Sequence, residues 1–438
     1  MTRLMDFYDR QRRVPGWRQE PLREARVAVV GRDWVGTYVA SGLKSMGIGE
    51  VLWFGAPRPW TDGTAAFFLN QDGPSALKEE PYDIEFGPEL AWGCAGRMPR
   101  YLVCATEDRD EWLNALGWAD RNHVEVLGGR ASLGGHFGTD PPARASDAPQ
   151  DPVIALMVAA LLVDEVRERL SPLHLGTVTP QGGLGLTPAP PRRPLEVDLV
   201  GVGGIGVWAA HALCASCGGQ LRLRLWDFDS VGAENLNRQA LFTVADAVRR
   251  APKALAARRT LSEVFPHVQV SAEVRKIGAD EIEELKTDAR RPSVVLSAVD
   301  NAETRLMLQR LGQTCRVPVV QAGTGTFLAD CFTQVVGGAS LDDQTHGAMS
   351  AAMVREALGR PAGHCGVDPS YVVPGMMAGA FLAYRATRIG KGGPLSPMRW
   401  RQGDRPREVR EETAGFDFGD VLSRIARVLS RPLIGAGS

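Results

Sequence analysis

No sign of charge prevails in this chain: 50 Lys and Arg face 51 Asp and Glu, a net of −1, which argues against nucleic acid as the main partner. Long apolar runs are missing as well. Val153 to Val163 is locally very apolar, yet nothing approaches the roughly 20 residues that span a bilayer, and Met1 to Asp6 has no apolar signal core. Cysteine is scarce, and the 7 present are an odd, scattered set that reads as reduced thiols rather than a disulfide framework. The expected setting is therefore cytoplasmic, with no membrane partner. Cys214 and Cys217 make one C-x-x-C pair without a second, too few ligands for a closed site, so no structural zinc is expected. Histidine also numbers only 7; His123, His211 and His267 read as packed or surface residues.

What the chain does have begins at Leu195. The apolar run Leu195 to Val200 reads as a buried strand and Gly206 to Cys217 as the helix it feeds, with Gly201-Val202-Gly203-Gly204-Ile205-Gly206 between them. Gly201 suits the tight turn, Gly203 and Gly204 let the backbone approach a phosphate, and Gly206 allows close packing of helix on strand. A second strand, Leu221 to Trp226, delivers Asp227 about twenty residues on, where an acid commonly accepts ribose hydroxyls. NAD and ATP sites share this much. Asn235, Arg238, Gln239 and Lys253 then add two amides and two cations, more cation than a dinucleotide on a helix end requires. A triphosphate attacked at its α-phosphorus does need such clamps, because charge moves onto departing pyrophosphate. A third strand, Ser293 to Val299, ends in Asp300-Asn301; there Asp300 would face the phosphates and could hold Mg²⁺, although a lone strand-end aspartate is more often a helix cap. The chemistry indicated is nucleotidyl transfer onto a carboxylate, an attacking group that is already an anion and needs no protein base.

Together, Gly201 to Gly206, Asp227-x-Asp229, Asn235-Leu236-Asn237-Arg238-Gln239, Lys253 and Asp300-Asn301 resemble the ubiquitin-activating superfamily, which includes the ThiF-like adenylyltransferases of bacterial sulfur-carrier proteins. The resemblance implies ATP and Mg²⁺ as cofactors. Gly201, Gly203, Gly204, Gly206, Asp227, Asp229, Asn235, Gln239, Asp300 and Asn301 would then bind the nucleotide, with Asp300 on the metal and Arg238 and Lys253 acting catalytically on the phosphates. The implied partners are a ubiquitin-like or sulfur-carrier-like protein ending in glycine and a conjugating enzyme with an acceptor cysteine. In the family, a cysteine shortly before the last core helix commonly takes the acyl group from the adenylate as a thioester. Cys365 holds that position in the segment 337–372, beside His364; the plainer reading is a tolerated loop thiol.

An internal repeat accounts for the first half. Arg26 to Gly31, with Gly36 and the helical stretch Thr37 to Met46, parallels the strand, turn and helix from Val197. Ile48 to Phe54, Tyr101 to Ala105 and Pro152 to Arg167 parallel the second strand, the Val294 strand and Val373 to Arg388. The expected fold class is α/β, with two tandem Rossmann-like adenylation folds forming an internal pseudo-dimer. Residues 1–175 are expected to be an inactive copy, since Gly31-Arg32-Asp33-Trp34-Val35-Gly36 sets bulky residues where backbone should meet phosphate and Phe54-Gly55 offers no acid. Residues 176–195 read as a Pro/Gly-rich linker, 196–392 as the active domain, and 393–438 as a tail with an amphipathic helix candidate at Phe418 to Leu429. In homodimeric relatives an arginine near the N-terminus of the opposite subunit completes each site. Phe7-Tyr8-Asp9-Arg10-Gln11 resembles that motif, so Arg10 is expected to reach the phosphates across the pseudo-dimer; read alone, it is a surface arginine. The fusion of an inactive and an active half resembles eukaryotic activating enzymes and bacterial ones of ubiquitin-like conjugation systems, some linked to antiviral defence. The expected function is thus adenylation of a ubiquitin-like protein followed by thioester transfer. The alternative is adenylation of a sulfur carrier or natural-product peptide without a thioester step.

Overall fold

A computed structural model describes residues 7–31, 33–54, 76–80, 98–142, 150–173, 181–187, 194–287, 291–345, 350–351, 369–389 and 395–408. Cys365, His364 and the helix candidate Phe418 to Leu429 lie outside the described residues. The first half contributes strands β1 (Arg26–Val30), β2 (Glu50–Phe54), β3 (Ala76–Glu80), β4 (Tyr101–Cys104), β5 (Glu125–Arg130), β6 (His136–Phe137) and β7 (Gly182–Gly183). The second contributes β8 (Leu195–Val200), β9 (Leu221–Trp226), β10 (Gln269–Glu273), β11 (Val294–Ser297), β12 (Val319–Gly325), β13 (Leu328–Gln334), β14 (Met398–Arg401) and β15 (Arg407–Glu408). The sheet orders are β3-β2-β1-β4-β5-β6-β7 and β10-β9-β8-β11-β12-β13-β14-β15. In each, the first five strands pair in parallel and the rest antiparallel, so one α/β topology is written twice. The segment read as a linker supplies β7, and the tail supplies β14 and β15.

Strands buried on both faces explain why β1 and β8 read as almost unbroken apolar runs. Buried Asp198 in the middle of β8 is held in a two-point pair by Arg224 of β9, with both nitrogen–oxygen distances 2.8 Å. The glycine turns also match. A Cβ on Gly36 would sit 2.3 Å from Gly31 O, and one on Gly206 would sit 2.0 Å from Gly201 O, so each helix starts pressed on its own strand end. The caps match too: Asp108 caps Arg109–Arg121 as Asn301 caps Ala302–Cys315.

Helices Trp34–Met46 and Pro152–Leu170 of the first half pack against Gly206–Cys217 and Val372–Ala386 of the second. A single apolar core runs through both halves, from Val27 and Val39 to Val197 and Met376. Pro152–Leu170 is buried on nearly every side, which accounts for the apolar run at Val153, and no helix among the described residues is long and apolar enough to cross a membrane. Polar ties also cross this seam. Tyr38 Oη lies 2.9 Å from His211 Nδ1, and Asn237 Nδ2 donates to Gln11 Oε1 at 3.3 Å.

Burial pushes the His211 imidazole down to about 3, so the ring is neutral in the fold. The unfolded chain takes up that proton below its ordinary value of about 6.5, so stability should fall as pH drops from there toward 3. Tyr38→Phe strips the hydroxyl from this buried pair, and denaturant unfolding should show a loss of about 1–3 kcal/mol.

Candidate active site

In the order β9-β8-β11, the chain reverses direction across the sheet beside β8, and a crevice opens there at the strands' carboxyl ends. A cleft of about 540 Å³ occupies it, walled by the glycine turn, Asp227, Arg238, Lys253, Asp300 and, from the first half, Arg10. Gly201 adopts φ +91°, and a Cβ there would lie 2.8 Å from Ala298 O. Gly203 and Gly204 differ in kind. A Cβ on either would meet nothing nearer than 3.6 Å, so their bare backbone leaves room that a side chain would fill. Behind them the helix Gly206–Cys217 begins without a side-chain cap; Val207 N donates to Gly203 O at 3.1 Å, and the positive end of the helix dipole lies at the same space.

Asp227 leaves the end of β9 nearly buried. Its carboxylate accepts from Val202 N at 2.7 Å and Asp229 N at 2.8 Å, which ties the glycine turn to the next loop. Burial raises the pKa of this carboxyl, while the Lys253 ammonium and the two N–H groups oppose the rise. Lys253 opens the helix Lys253–Val264, and its Nζ donates to Asp229 Oδ2 at 2.9 Å, leaving two of its three donors for other oxygens. Arg238 is fixed from behind: Nη1 donates to Glu234 O at 2.6 Å and Asn237 Oδ1 at 2.9 Å.

Asn235 and Gln239, read from sequence as nucleotide ligands, stand behind this wall rather than on it. The Asn235 amide oxygen accepts from Arg238 Nη2 at 3.4 Å and Gln239 Nε2 at 3.2 Å, so both amides brace the arginine. Asn301 spends its side chain on the N-cap of the next helix, accepting from Thr304 N at 2.8 Å. The neighbouring Asp300 is exposed on the cleft wall and is not that helix's cap. Arg10 is 6% exposed although it lines the cleft, and its Nε has no hydrogen-bond partner.

Several lining residues carry no sequence signal of their own. Arg275 and Lys276 follow β10, which pairs with β9 so that Glu273 lies opposite Trp226, and this register brings both cations to the same rim as Asp227. Arg305 donates to Val299 O and Ala322 O, fastening the loop after β11 to β12. Ser370, Tyr371 and Gly375 arrive from the other side, at the start of the helix Val372–Ala386. No histidine lines the cleft among the described residues, and those residues contain no group of three or more metal-ligating side chains. Cys214 and Cys217 are buried free thiols; burial raises the pKa of both, Cys217 to about 12.

The corresponding corner of the first half is acidic. Glu107, at the end of β4 where β11 leads to Asp300, turns its carboxylate inward to accept from Ala131 N at 2.7 Å, Ser132 N at 2.8 Å and Gln150 Nε2 at 3.1 Å. Asp33, capping Trp34–Met46, is pushed up to about 8 by burial and by Glu107. Among the described residues of this corner, an anion would meet the carboxyl groups of Glu107 and Asp33.

The ThiF family matches residues 193–367, the stretch that carries the glycine turn, Asp227, Arg238, Lys253 and Asp300. The chain is 30% identical over 175 residues to the sulfur carrier protein ThiS adenylyltransferase of Bacillus subtilis, covering 36% of this chain and 50% of that protein. It is 33% identical over 122 residues to the molybdopterin-synthase adenylyltransferase of Haemophilus influenzae, covering 28% and 47%. The chain thus spans about half the length of the curated relatives it matches. Among solved structures, Escherichia coli MccB with ATP aligns at 17% identity and a TM-score of 0.39, over 50% of this chain and 64% of that one.

Proposed function

We propose that this protein is an ATP-dependent adenylyltransferase that activates the C-terminal carboxylate of a small protein or peptide. The observation that carries the reading is the convergence of Arg10, Arg238 and Lys253 on one cleft floored by the bare backbone of Gly203 and Gly204. In this reading Asp227 accepts a ribose hydroxyl on lone pairs left free by its two backbone donors. The glycine turn and the uncapped helix end take the α-phosphate, and Arg238 and Lys253 follow the charge as it shifts. The substrate carboxylate attacks the α-phosphorus, the bond to the bridging oxygen breaks, and pyrophosphate leaves with the electron pair. Asp300, a single exposed carboxylate beside the phosphate cradle, fits Mg²⁺, which takes one or two carboxylates and otherwise phosphate oxygens and water, and which would supply charge neutralisation. The first half, whose corresponding corner carries the carboxyl groups of Glu107 and Asp33, acts as a structural mate that contributes Arg10, as the opposite subunit of a dimer would.

The curated relatives are named adenylyltransferases of sulfur carriers and of molybdopterin synthase, which favours adenylation as the whole reaction. The thioester on Cys365 and the hand-over to a conjugating enzyme rest on a residue outside the described ones. One experiment separates the two. Intact mass is measured without reductant after incubation with Mg²⁺–ATP and a candidate small protein ending in glycine, for the wild type and Cys365→Ala. A partner bearing one adenylyl group in both proteins supports the reading. A thiol-labile adduct on this chain that vanishes in the variant restores the thioester step, and no nucleotide turnover with any such candidate counts against an activating enzyme.

A further inference from the structure

Two helices without side-chain N-caps meet at the glycine turn, the first being Gly206–Cys217. The second is Val372–Ala386, whose N-cap Tyr371 makes no side-chain cap and whose first turn reaches the cleft wall through Pro374 and Gly375. Gly375 lies against the glycine turn so closely that a Cβ would sit 2.4 Å from Gly204 O. Ser370, just before this helix, lines the cleft with a buried Oγ that has no hydrogen-bond partner. Its backbone N–H donates to Arg10 O at 3.3 Å, which sets the two residues side by side, and Arg10 brings its own buried, unpartnered Nε. Pro374 has no N–H, so the donors at this wall are the Ser370 hydroxyl, the Arg10 guanidinium and the Gly375 N–H at the positive end of a helix that no side chain caps.

The first half holds this wall in place. Tyr371 Oη donates to Asp164 Oδ1 at 3.2 Å, Arg167 stands 5.9 Å over the tyrosine ring, and Trp17 packs on it at 5.3 Å. Arg167 is itself locked to Asp164 by two hydrogen bonds, of 3.0 and 2.9 Å. The donors are therefore fixed before any ligand arrives.

On the reading of the cleft as an ATP site, we infer that Ser370 Oγ and the N-terminus of Val372–Ala386 join Arg10 as the wall that grips the terminal phosphates of ATP and the pyrophosphate that leaves. The contact of Gly375 with Gly204 sets this wall beside the phosphate cradle, at the end of the triphosphate remote from Asp227. It should therefore be felt by ATP and pyrophosphate and not by AMP.

The test is calorimetric titration of the wild type, Ser370→Ala and Ser370→Thr with Mg²⁺–ATP, Mg²⁺–pyrophosphate and AMP. The expected result is about a tenfold loss of affinity for ATP and pyrophosphate in Ser370→Ala, as for a lost hydrogen bond to a charged group, with AMP unchanged within about twofold. Ser370→Thr, which keeps a hydroxyl, should recover most of the loss. Equal weakening of AMP and ATP, no weakening of ATP, or a threonine variant as weak as the alanine one would overturn the inference. A wild type that binds none of the three would remove the ATP reading itself, and that outcome is visible before any variant is measured.

Discussion

Lys253→Met should slow adenylate formation by about 10²- to 10³-fold, the usual consequence of removing one preorganised donor from developing charge, while leaving the fold intact. Methionine keeps the length of the aliphatic stem, which is buried at the start of Lys253–Val264, and deletes only the ammonium. Two effects add. The departing pyrophosphate loses a cation, and Asp227 and Asp229 lose the positive charge that stands between them and an incoming triphosphate. The second effect has its own signature in pH. Burial already raises the Asp227 carboxyl and Lys253 opposes that rise, so without the lysine the carboxyl climbs further. Ribose binding needs the ionised form as acceptor, and it is lost as pH falls through this folded-state pKa. The acid limb of ATP binding should therefore move to higher pH in Lys253→Met. A pH series of ATP affinity reads this directly, and an acid limb that stays in place would deny Asp227 its ribose role.

How much of this site the sequence disclosed depends on where each residue gets its neighbours. The glycine turn, Asp227 and Asp300 are strand-end residues, and an apolar run followed by glycine or acid names both the strand and the crevice it points into. The repeat was legible for the same reason, because β1 and β8 are two apolar runs followed by the same glycine spacing. Asn235 and Gln239 share a motif with Arg238, but a motif does not say which side chains face the ligand and which brace the one that does. Arg275, Lys276 and Ser370 belong to no local pattern at all. Arg275 and Lys276 reach the cleft only through the register of β10 on β9, and Ser370 only through the packing of the last helix on Gly204 and of its N-terminal end on the first half. Arg10 was named only by the resemblance of Phe7 to Gln11 to a family motif, and the fold brings it, buried, to the cleft wall.

The matched pair Gly36→Ala and Gly206→Ala should separate what the two copies do. Each glycine sits in the first turn of a helix against the carbonyl of the glycine five residues before it, and the added methyl would lie 2.3 Å from Gly31 O in one copy and 2.0 Å from Gly201 O in the other. Real Cβ atoms do not approach a carbonyl so closely, so turn and helix must part, and both variants should lose on the order of 3 kcal/mol or more of stability. Their nucleotide behaviour should diverge. Saturating Mg²⁺–ATP raises the unfolding midpoint of any form that binds it, by an amount set by affinity rather than by starting stability. In Gly206→Ala the displaced turn carries Gly203, Gly204 and the uncapped helix end away from the phosphates, and the ATP-dependent shift should vanish. In Gly36→Ala the displaced turn carries Asp33 and lies beside Glu107 rather than at the nucleotide cleft, and the full shift should survive on a weakened fold. Loss of the shift in both would mean that the first half does more at the nucleotide site than hold Arg10 and the Ser370 wall in place.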